Sequence, residues 1–177
     1  VFRKARVPLW YTEGFHPKPE MLYGPALPLG YASLDEYLDV SVRADAFDDA
    51  DLADLVARLE AATFEGLSWH GAVALGPGDP PLSKVVDEAV YVAGLPRDAL
   101  AAVGLDDGDA LAARFAARRE AGDLVAFRTI KGIRKKVDVG RYLMDAAIGE
   151  GADALAEAGL IGDLVPVTLR ILVTGQG

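Results

Sequence analysis

Hydrophobic residues along this chain recur in short segments that follow either a strand period or a helix period. Residues 37–43 alternate strictly between apolar and polar side chains, which predicts a half-buried strand. Residues 50–62 carry leucine and valine at helical spacing, which predicts a helix, and Asp48 or Asp49 is a natural N-cap for it. A further strand is predicted over residues 67–75. The mixture of periods indicates an α+β domain.

The second half of the chain repeats this order of elements. Strands are predicted over residues 89–95, 124–129, 134–139 and 164–173, a helical region from Pro96 that breaks near Gly104 and resumes over 109–121, and a short helix over 140–148. The Lys131-Gly132 pair between two of these strands predicts a hairpin. Because proline cannot donate a ladder hydrogen bond, Pro166 predicts that the last strand lies at a sheet edge.

The segment of the chain richest in glycine and proline predicts a division into two halves. The run Gly-Pro-Gly-Asp-Pro-Pro at 76–81 opens a linker over residues 76–88, which separates a first half, 1–75, from a second half, 89–177. Each half has a β-α-β order, so we predict two ferredoxin-like split βαβ units side by side, with antiparallel or mixed sheets and helices on one face. A single mixed sheet with helices on one face is the alternative. Residues 1–6 read as the tail of a helix, so the first half is expected to be N-terminally truncated.

Composition removes several classes of function. The chain has no cysteine and only two histidines, which stand far apart, so we expect no metal site and no cofactor within it. Hydrophobic residues make up 51% of the chain, yet no apolar run reaches the roughly 20 residues that span a bilayer. No secretory signal opens the chain. We therefore expect a soluble cytoplasmic protein with no membrane partner.

The net charge of −9 conceals a segregated distribution. Acidic residues crowd between positions 35 and 65, whereas nine of the 18 basic residues lie between positions 114 and 141. A local basic surface therefore matters more for choosing a partner than the sum of the charges does.

The first candidate site is the loop that carries Phe15, His16 and Lys18. Gly14 permits a positive φ, and Pro17 and Pro19 hold the backbone extended. Such a loop presents its side chains with little freedom, so Phe15 could stack on a ring while His16 and Lys18 meet a phosphate or carboxylate. The alternative is that Phe15 fills the core and the prolines only shape a connection.

Several short segments also carry a family resemblance. They are RKARVP at 3–8, GFHPKP at 14–19, ALPLG at 26–30 and EYLDV at 36–40, with weaker echoes in KGIRKKVDV at 131–139 and TGQG at 174–177. Over residues 1–42 in particular, the chain resembles the domain of unknown function that is linked to radical SAM proteins, which occurs alone or behind a cobalamin-binding radical SAM protein.

The resemblance implies partners and a longer chain. It implies a cobalamin-type radical SAM partner, fused or separate. Because this chain has no cysteine, any iron–sulfur cluster would lie in the partner. The association of the family with ribonuclease E/G-type genes implies RNA. The family has a strand and a helix before the part that matches Val1 and a tail after Gly177, so truncation at both ends is expected.

The second candidate site is the predicted basic hairpin. Its basic side chains are Arg128, Lys131, Arg134, Lys135 and Lys136. In a strand that begins at Arg134, the side chains of Arg134 and Lys136 share one face and that of Lys135 points to the other. The cluster could follow a phosphate backbone. The alternative is a charged sheet edge, on which lysine prevents unwanted strand pairing.

Three hypotheses of function follow from these features. The first is a non-catalytic binding module that docks tRNA or structured RNA through both candidate sites. The second is a scaffold that packs on the radical SAM partner through the acidic region 35–65. The third is a metal-independent RNA-processing enzyme with His16 as general acid and base, which requires a second titratable group within hydrogen-bond reach.

Overall fold

The computed structural model describes residues 1–47, 52–105 and 108–173. It shows a mixed α+β protein with antiparallel sheets and few helices. In chain order the strands and helices are β1 (Met21–Tyr23), β2 (Leu38–Val40), α1 (Leu52–Ala62), α2 (Leu82–Val85), β3 (Glu88–Pro96), α3 (Arg97–Ala101), α4 (Gly108–Glu120), β4 (Val125–Ile130), β5 (Ile133–Asp138), β6 (Leu143–Ile148), α5 (Ala152–Glu157) and β7 (Leu164–Leu172).

The chain divides into two compact units. The first consists of Val1–Ala26 and Glu36–Val85, and the second of Leu27–Asp35 and the chain from Val86 onward. The ring of Tyr31 packs edge-on against that of Tyr91, with centroids 6.1 Å apart, which ties Leu27–Asp35 to the second unit. None of the helices in the described ranges is both long and apolar enough to cross a membrane.

The first unit opens with a turn that ends as a helix C-terminus does. The Val7 N–H donates to the Phe2 carbonyl at 3.0 Å, the Arg6 N–H donates to the Arg3 carbonyl at 3.3 Å, and Arg6 has a φ of 55°. These bonds and the left-handed residue form a Schellman motif. The helix end predicted for residues 1–6 is therefore present as a single turn.

Three extended segments meet at one point in the first unit. The Trp10 N–H donates to the Ser41 carbonyl at 2.8 Å, the Ser41 N–H to the Glu20 carbonyl at 3.0 Å, and the Glu20 N–H to the Trp10 carbonyl at 3.0 Å. From this junction β1 and β2 continue as an antiparallel pair. The predicted strand over residues 37–43 is therefore confirmed in its centre.

The core of the first unit lies between the opening turn and α1. Its buried side chains are Ala5, Val7, Leu9, Leu55 and Leu59. The predicted helix is confirmed from Leu52 to Ala62, whereas the predicted N-caps Asp48 and Asp49 lie outside the described residues. The strand predicted over residues 67–75 is wrong, because this segment has no ladder partner and most of its side chains are exposed.

The second unit is built on a three-stranded sheet in the order β3-β7-β6. The predicted strand over residues 164–173 is confirmed, but it is the central strand, so the edge position inferred from Pro166 is wrong. The Pro166 carbonyl accepts from the Gly149 N–H at 2.8 Å, and the β6 ladder ends at the preceding pair, Ile148 with Val167. In a strand, the N–H and the C=O of one residue point to the same side. An N–H at position 166 would therefore face Gly149, just beyond the end of the β6 ladder, so proline costs the ladder no hydrogen bond there.

The helix predicted over residues 140–148 is wrong, because Leu143–Ile148 is strand β6. The register shifts between Leu143 and Asp145, so Met144 is the extra residue of a β-bulge. Arg119 of α4 donates to the Met144 carbonyl at 3.0 Å, which satisfies a group that the bulge removes from the ladder. The bulge interrupts the alternation by which the strand would have been recognised.

The finer prediction of two ferredoxin-like units is not confirmed. In the described part of the chain, the one sheet of more than two strands has the order β3-β7-β6, and α5 connects its neighbouring antiparallel strands β6 and β7. A split βαβ unit instead connects two parallel strands that are separated by a third strand. The helix predicted over residues 109–121 is confirmed as α4. It follows α3, which ends at Ala101, and Gly104 between them has a φ of 71°.

An ion pair bridges two strands of this sheet and makes its stability depend on pH. The Arg170 guanidinium donates to both carboxylate oxygens of Glu88 at 2.8 Å. These hydrogen bonds, with the attraction of the opposite charges, hold the pKa of Glu88 below its ordinary value, and the same contact raises the pKa of Arg170. A carboxylate whose pKa is lower in the folded chain stabilises the fold above its unfolded pKa of about 4.3.

We expect Glu88→Gln to lower the melting temperature at neutral pH. The difference from the unsubstituted chain should shrink as the pH falls from about 4.3 through the folded pKa of Glu88, because protonation then removes from Glu88 the charge that the glutamine variant already lacks. Thermal unfolding followed by circular dichroism across this pH range measures the effect. Glu65→Gln removes a charge from an exposed site and serves as the control. A difference that persists unchanged in acid would contradict a role for the ion pair.

Candidate functional site

The predicted basic hairpin is present as a ribbon of two strands. Within the described residues β4 and β5 form a two-stranded antiparallel sheet. Its loop consists of Lys131 and Gly132, whose φ angles are 51° and 78°. Two successive positive φ angles define the type I′ turn, whose twist matches that of the flanking strands.

The register of the ribbon decides which side chains share a face. Phe127 pairs with Lys136, and Arg128 pairs with Lys135. One face therefore carries Phe127, Lys136 and Arg134, while the other carries Arg128 and Lys135. The prediction that Arg134 and Lys136 share a face opposite to Lys135 is confirmed.

The basic side chains of the ribbon are open to solvent. We call Phe127, Arg128, Lys131, Arg134, Lys135 and Lys136 together the basic ribbon, and all of them are exposed. Across the described ranges, the five cations make no ion pair. The guanidinium of Arg134 lies over the Phe127 ring, 4.2 Å from its centroid, and 55% of Phe127 remains exposed. Such a contact orients both side chains and leaves N–H donors of the Arg134 guanidinium available.

One cross-strand pair of the basic ribbon consists of two cations, which destabilises the ribbon. Arg128 and Lys135 lie directly opposite each other, where the Cβ atoms of paired residues are about 4.5–5.5 Å apart, and like charges at such positions are destabilising. Asp138 does not relieve them, because it pairs with Val125 and its carboxylate accepts from the Gly140 N–H at 3.1 Å. An anion bound from outside would offset this repulsion.

The Phe15 loop, residues 13–17, projects from a pinned base. The Thr12 N–H donates to the Lys18 carbonyl at 2.9 Å, and the Lys18 N–H donates to the Thr12 hydroxyl at 3.2 Å. Tyr11 and Pro19 form a bridge just below these bonds. Gly14 has a φ of 129°, a conformation that favours glycine. The loop is therefore held at its base, as its glycine and prolines predicted.

The side chains of this loop point to solvent. Phe15 is 95% exposed, so the alternative in which Phe15 fills the core is wrong. The His16 ring packs edge-on against the Phe15 ring, with centroids 5.1 Å apart. Lys18 is also exposed, at the edge of the pinned base.

The surroundings of His16 give it no catalytic partner. Among the residues that the structure describes, no side chain makes a hydrogen bond or ion pair with its imidazole. General acid–base chemistry needs a group within about 2.6–3.2 Å of the proton that it moves, or one water away. The described geometry therefore adds nothing to the enzyme hypothesis.

Several acidic residues of region 35–65 have internal partners. Asp39 accepts from the Leu82 N–H at 2.8 Å, at the first residue of α2. Asp54 pairs with Arg58 at 2.8 Å, and Glu60 accepts from the Trp69 N–H at 3.0 Å. These contacts use part of the region for folding, which the local sequence did not indicate.

The sequence places Phe127 beside the cations of the basic ribbon but does not show which of them it contacts. Phe127 lies within β4, and only the pairing with β5 places it beside Arg134 and Lys136. Its position one residue before Arg128 was the available signal.

Comparison with known proteins identifies a family. A family model described as an uncharacterised protein conserved in bacteria (DUF2344) matches residues 1–173 of the chain. No curated protein and no solved structure matches it.

The like-charge pair predicts an unusual response to substitution. Lys135→Glu places a carboxylate opposite Arg128, so we expect the free energy of unfolding to rise by about 0.2–1 kcal/mol. Urea denaturation at low salt measures the change. Lys136→Glu makes the same change of charge opposite Phe127, where no cation is directly paired, and should gain less. Equal effects of the two substitutions would contradict the register-based argument.

Proposed function

We propose that the chain, which belongs to this family of uncharacterised bacterial proteins, is a non-catalytic cytoplasmic module that docks RNA through the basic ribbon. The observation that carries the proposal is the set of five exposed cations that have no ion-pair partner among the described residues. Five such cations within nine residues remain available to an external polyanion.

The charge balance of the chain supports a localised contact. With a net charge of −9, the chain as a whole repels nucleic acid, so binding has to be concentrated where the cations cluster. Three successive cations, Arg134, Lys135 and Lys136, lie on one strand and alternate between the faces of the ribbon. Phosphates on either side of the ribbon could therefore be neutralised.

The number of cations sets the expected salt dependence. If all five meet phosphates of a single strand, the logarithm of the binding constant should fall with the logarithm of salt with a slope of about −3.5. This corresponds to a loss of affinity of about a hundredfold between about 50 and 200 mM salt. A slope near zero would mean that phosphates contribute little.

We expect purified chain to bind total tRNA with micromolar affinity at low salt and with this steep slope. Lys135→Glu/Lys136→Glu should reduce the affinity at least tenfold and flatten the slope, because it replaces two of the phosphate-binding cations by anions. Fluorescence anisotropy with labelled tRNA across a salt series measures both quantities.

A matched control separates the basic ribbon from overall charge. Lys4→Glu/Lys84→Glu makes the same change of net charge at two exposed lysines of the first unit, and it should leave the slope unchanged. Equal losses in the two double variants would show that net charge alone governs binding. No binding by the unsubstituted chain at low salt would remove the RNA proposal.

The Phe15 loop favours a second function, docking to a protein. We propose that Phe15 is the anchor by which the chain binds a cobalamin-type radical SAM protein, the partner that the family resemblance implies. An aromatic side chain that is 95% exposed on a pinned loop can enter a partner's pocket with little loss of conformational entropy. Aromatic anchors of this kind carry much of the binding energy of protein interfaces.

We expect Phe15→Ala to weaken binding to such a partner by at least about 30-fold, as hot-spot truncations of 2 kcal/mol or more do. Isothermal titration calorimetry with the purified radical SAM protein measures the loss. Phe64→Ala removes another exposed ring, 69% exposed, from the same unit and should have little effect. Unchanged affinity in Phe15→Ala would contradict the anchor.

A further inference from the structure

We infer that the basic ribbon is selective for unpaired RNA, because one of its faces stacks a base on Phe127 and its other face holds a phosphate between Arg128 and Lys135. The inference rests on the proposed docking of RNA and adds to it the kind of RNA and the role of each face. It follows from three features of the ribbon, which are its accessible ring, its register and its repulsive pair of cations.

The first feature is the accessible ring. Phe127 is 55% exposed, although burying a phenylalanine in the core would stabilise the fold by about 1.5–3 kcal/mol. Its contact with the Arg134 guanidinium at 4.2 Å holds the ring across the ribbon. A planar base could stack on this ring and guanidinium, since both attract π-faces.

The second feature is the separation of functions by the register. The face of Phe127 also carries Arg134 and Lys136, so a base stacked there has cations beside it for its flanking phosphates. The opposite face carries Arg128 and Lys135 without an exposed aromatic residue between them. One face can therefore offer a ring to a base, whereas the other offers cations without a ring.

The third feature is the repulsion between Arg128 and Lys135. A phosphate that meets both cations is attracted by each of them and offsets their repulsion, and the cost of holding the two cations together has already been met in folding. This makes the pair a stronger phosphate site than two isolated surface cations.

These features favour single-stranded RNA over duplex RNA. In an A-form helix the base faces are covered by stacking, and side chains cannot read the deep, narrow major groove. Loops, bulges and ends present unstacked bases, which aromatic side chains can bind with about 1–3 kcal/mol per base. A duplex would meet the cations but leave the Phe127 ring unused.

The test compares an unstructured oligouridylate with an abasic oligomer of the same length and charge. The unsubstituted chain should bind the oligouridylate about 5- to 150-fold more tightly than the abasic oligomer. Phe127→Leu should abolish this preference while keeping the salt slope. Lys135→Gln should keep the preference and reduce the slope by about 0.7. Phe64→Leu, the same exchange at an exposed ring of the first unit, should change neither quantity.

The outcomes separate this inference from the function on which it rests. Equal, salt-dependent affinity for the two oligomers, or a preference that survives in Phe127→Leu, would overturn base stacking and leave RNA docking intact. Tighter binding to duplex RNA than to the oligouridylate would do the same. Failure of the unsubstituted chain to bind any RNA at low salt would overturn both.

Discussion

The tight turn at Lys131 and Gly132 sets the register of β4 against β5, and the candidate RNA site depends on that register. With positive φ at both residues, the turn places Phe127 opposite Lys136 and Arg128 opposite Lys135. A slip by one residue would move every side chain of one strand to the other face. The cation–π contact and the like-charge pair would both be lost. The cations would also no longer be divided between a face that carries the Phe127 ring and a face that carries no ring.

The ribbon carries its charges outside the two cores of the protein. The described core of the first unit joins the opening turn to α1, and in the second unit Val165 and Val167 are buried in the central strand of the sheet. The close approach of Gly151 to Val92, where a Cβ would lie 2.6 Å from Val92 Cγ1, shows how tightly α5 begins against that sheet. The fold is therefore stabilised by these buried residues and not by the ribbon, so the ribbon can carry an unfavourable pair of cations without unfolding the protein.

The sequence predicts those parts of the fold and of the candidate site whose determining residues lie close together along the chain. The hairpin was predicted correctly because a Lys-Gly turn and alternating strands lie within a few residues of each other. The sequence predicts a helix where β6 lies, because its partner, β7, lies far along the chain and the bulge at Met144 breaks its alternation. The exposure of Phe15 and the pairing of Phe127 with Arg134 depend on tertiary structure, so the sequence left the first open and did not indicate the second. The placement of Leu27–Asp35 in the second unit also depends on a distant contact, that of Tyr31 with Tyr91.

The most direct test of the account is to locate bound RNA on the intact chain. Ultraviolet crosslinking of the chain to oligouridylate at low salt, followed by mass spectrometry of the crosslinked peptides, identifies the residues in contact. Docking of RNA through the basic ribbon predicts crosslinks in β4 and β5, centred on Phe127 and on the cations that share its face. Crosslinks confined to other segments, with β4 and β5 unmodified, would contradict it.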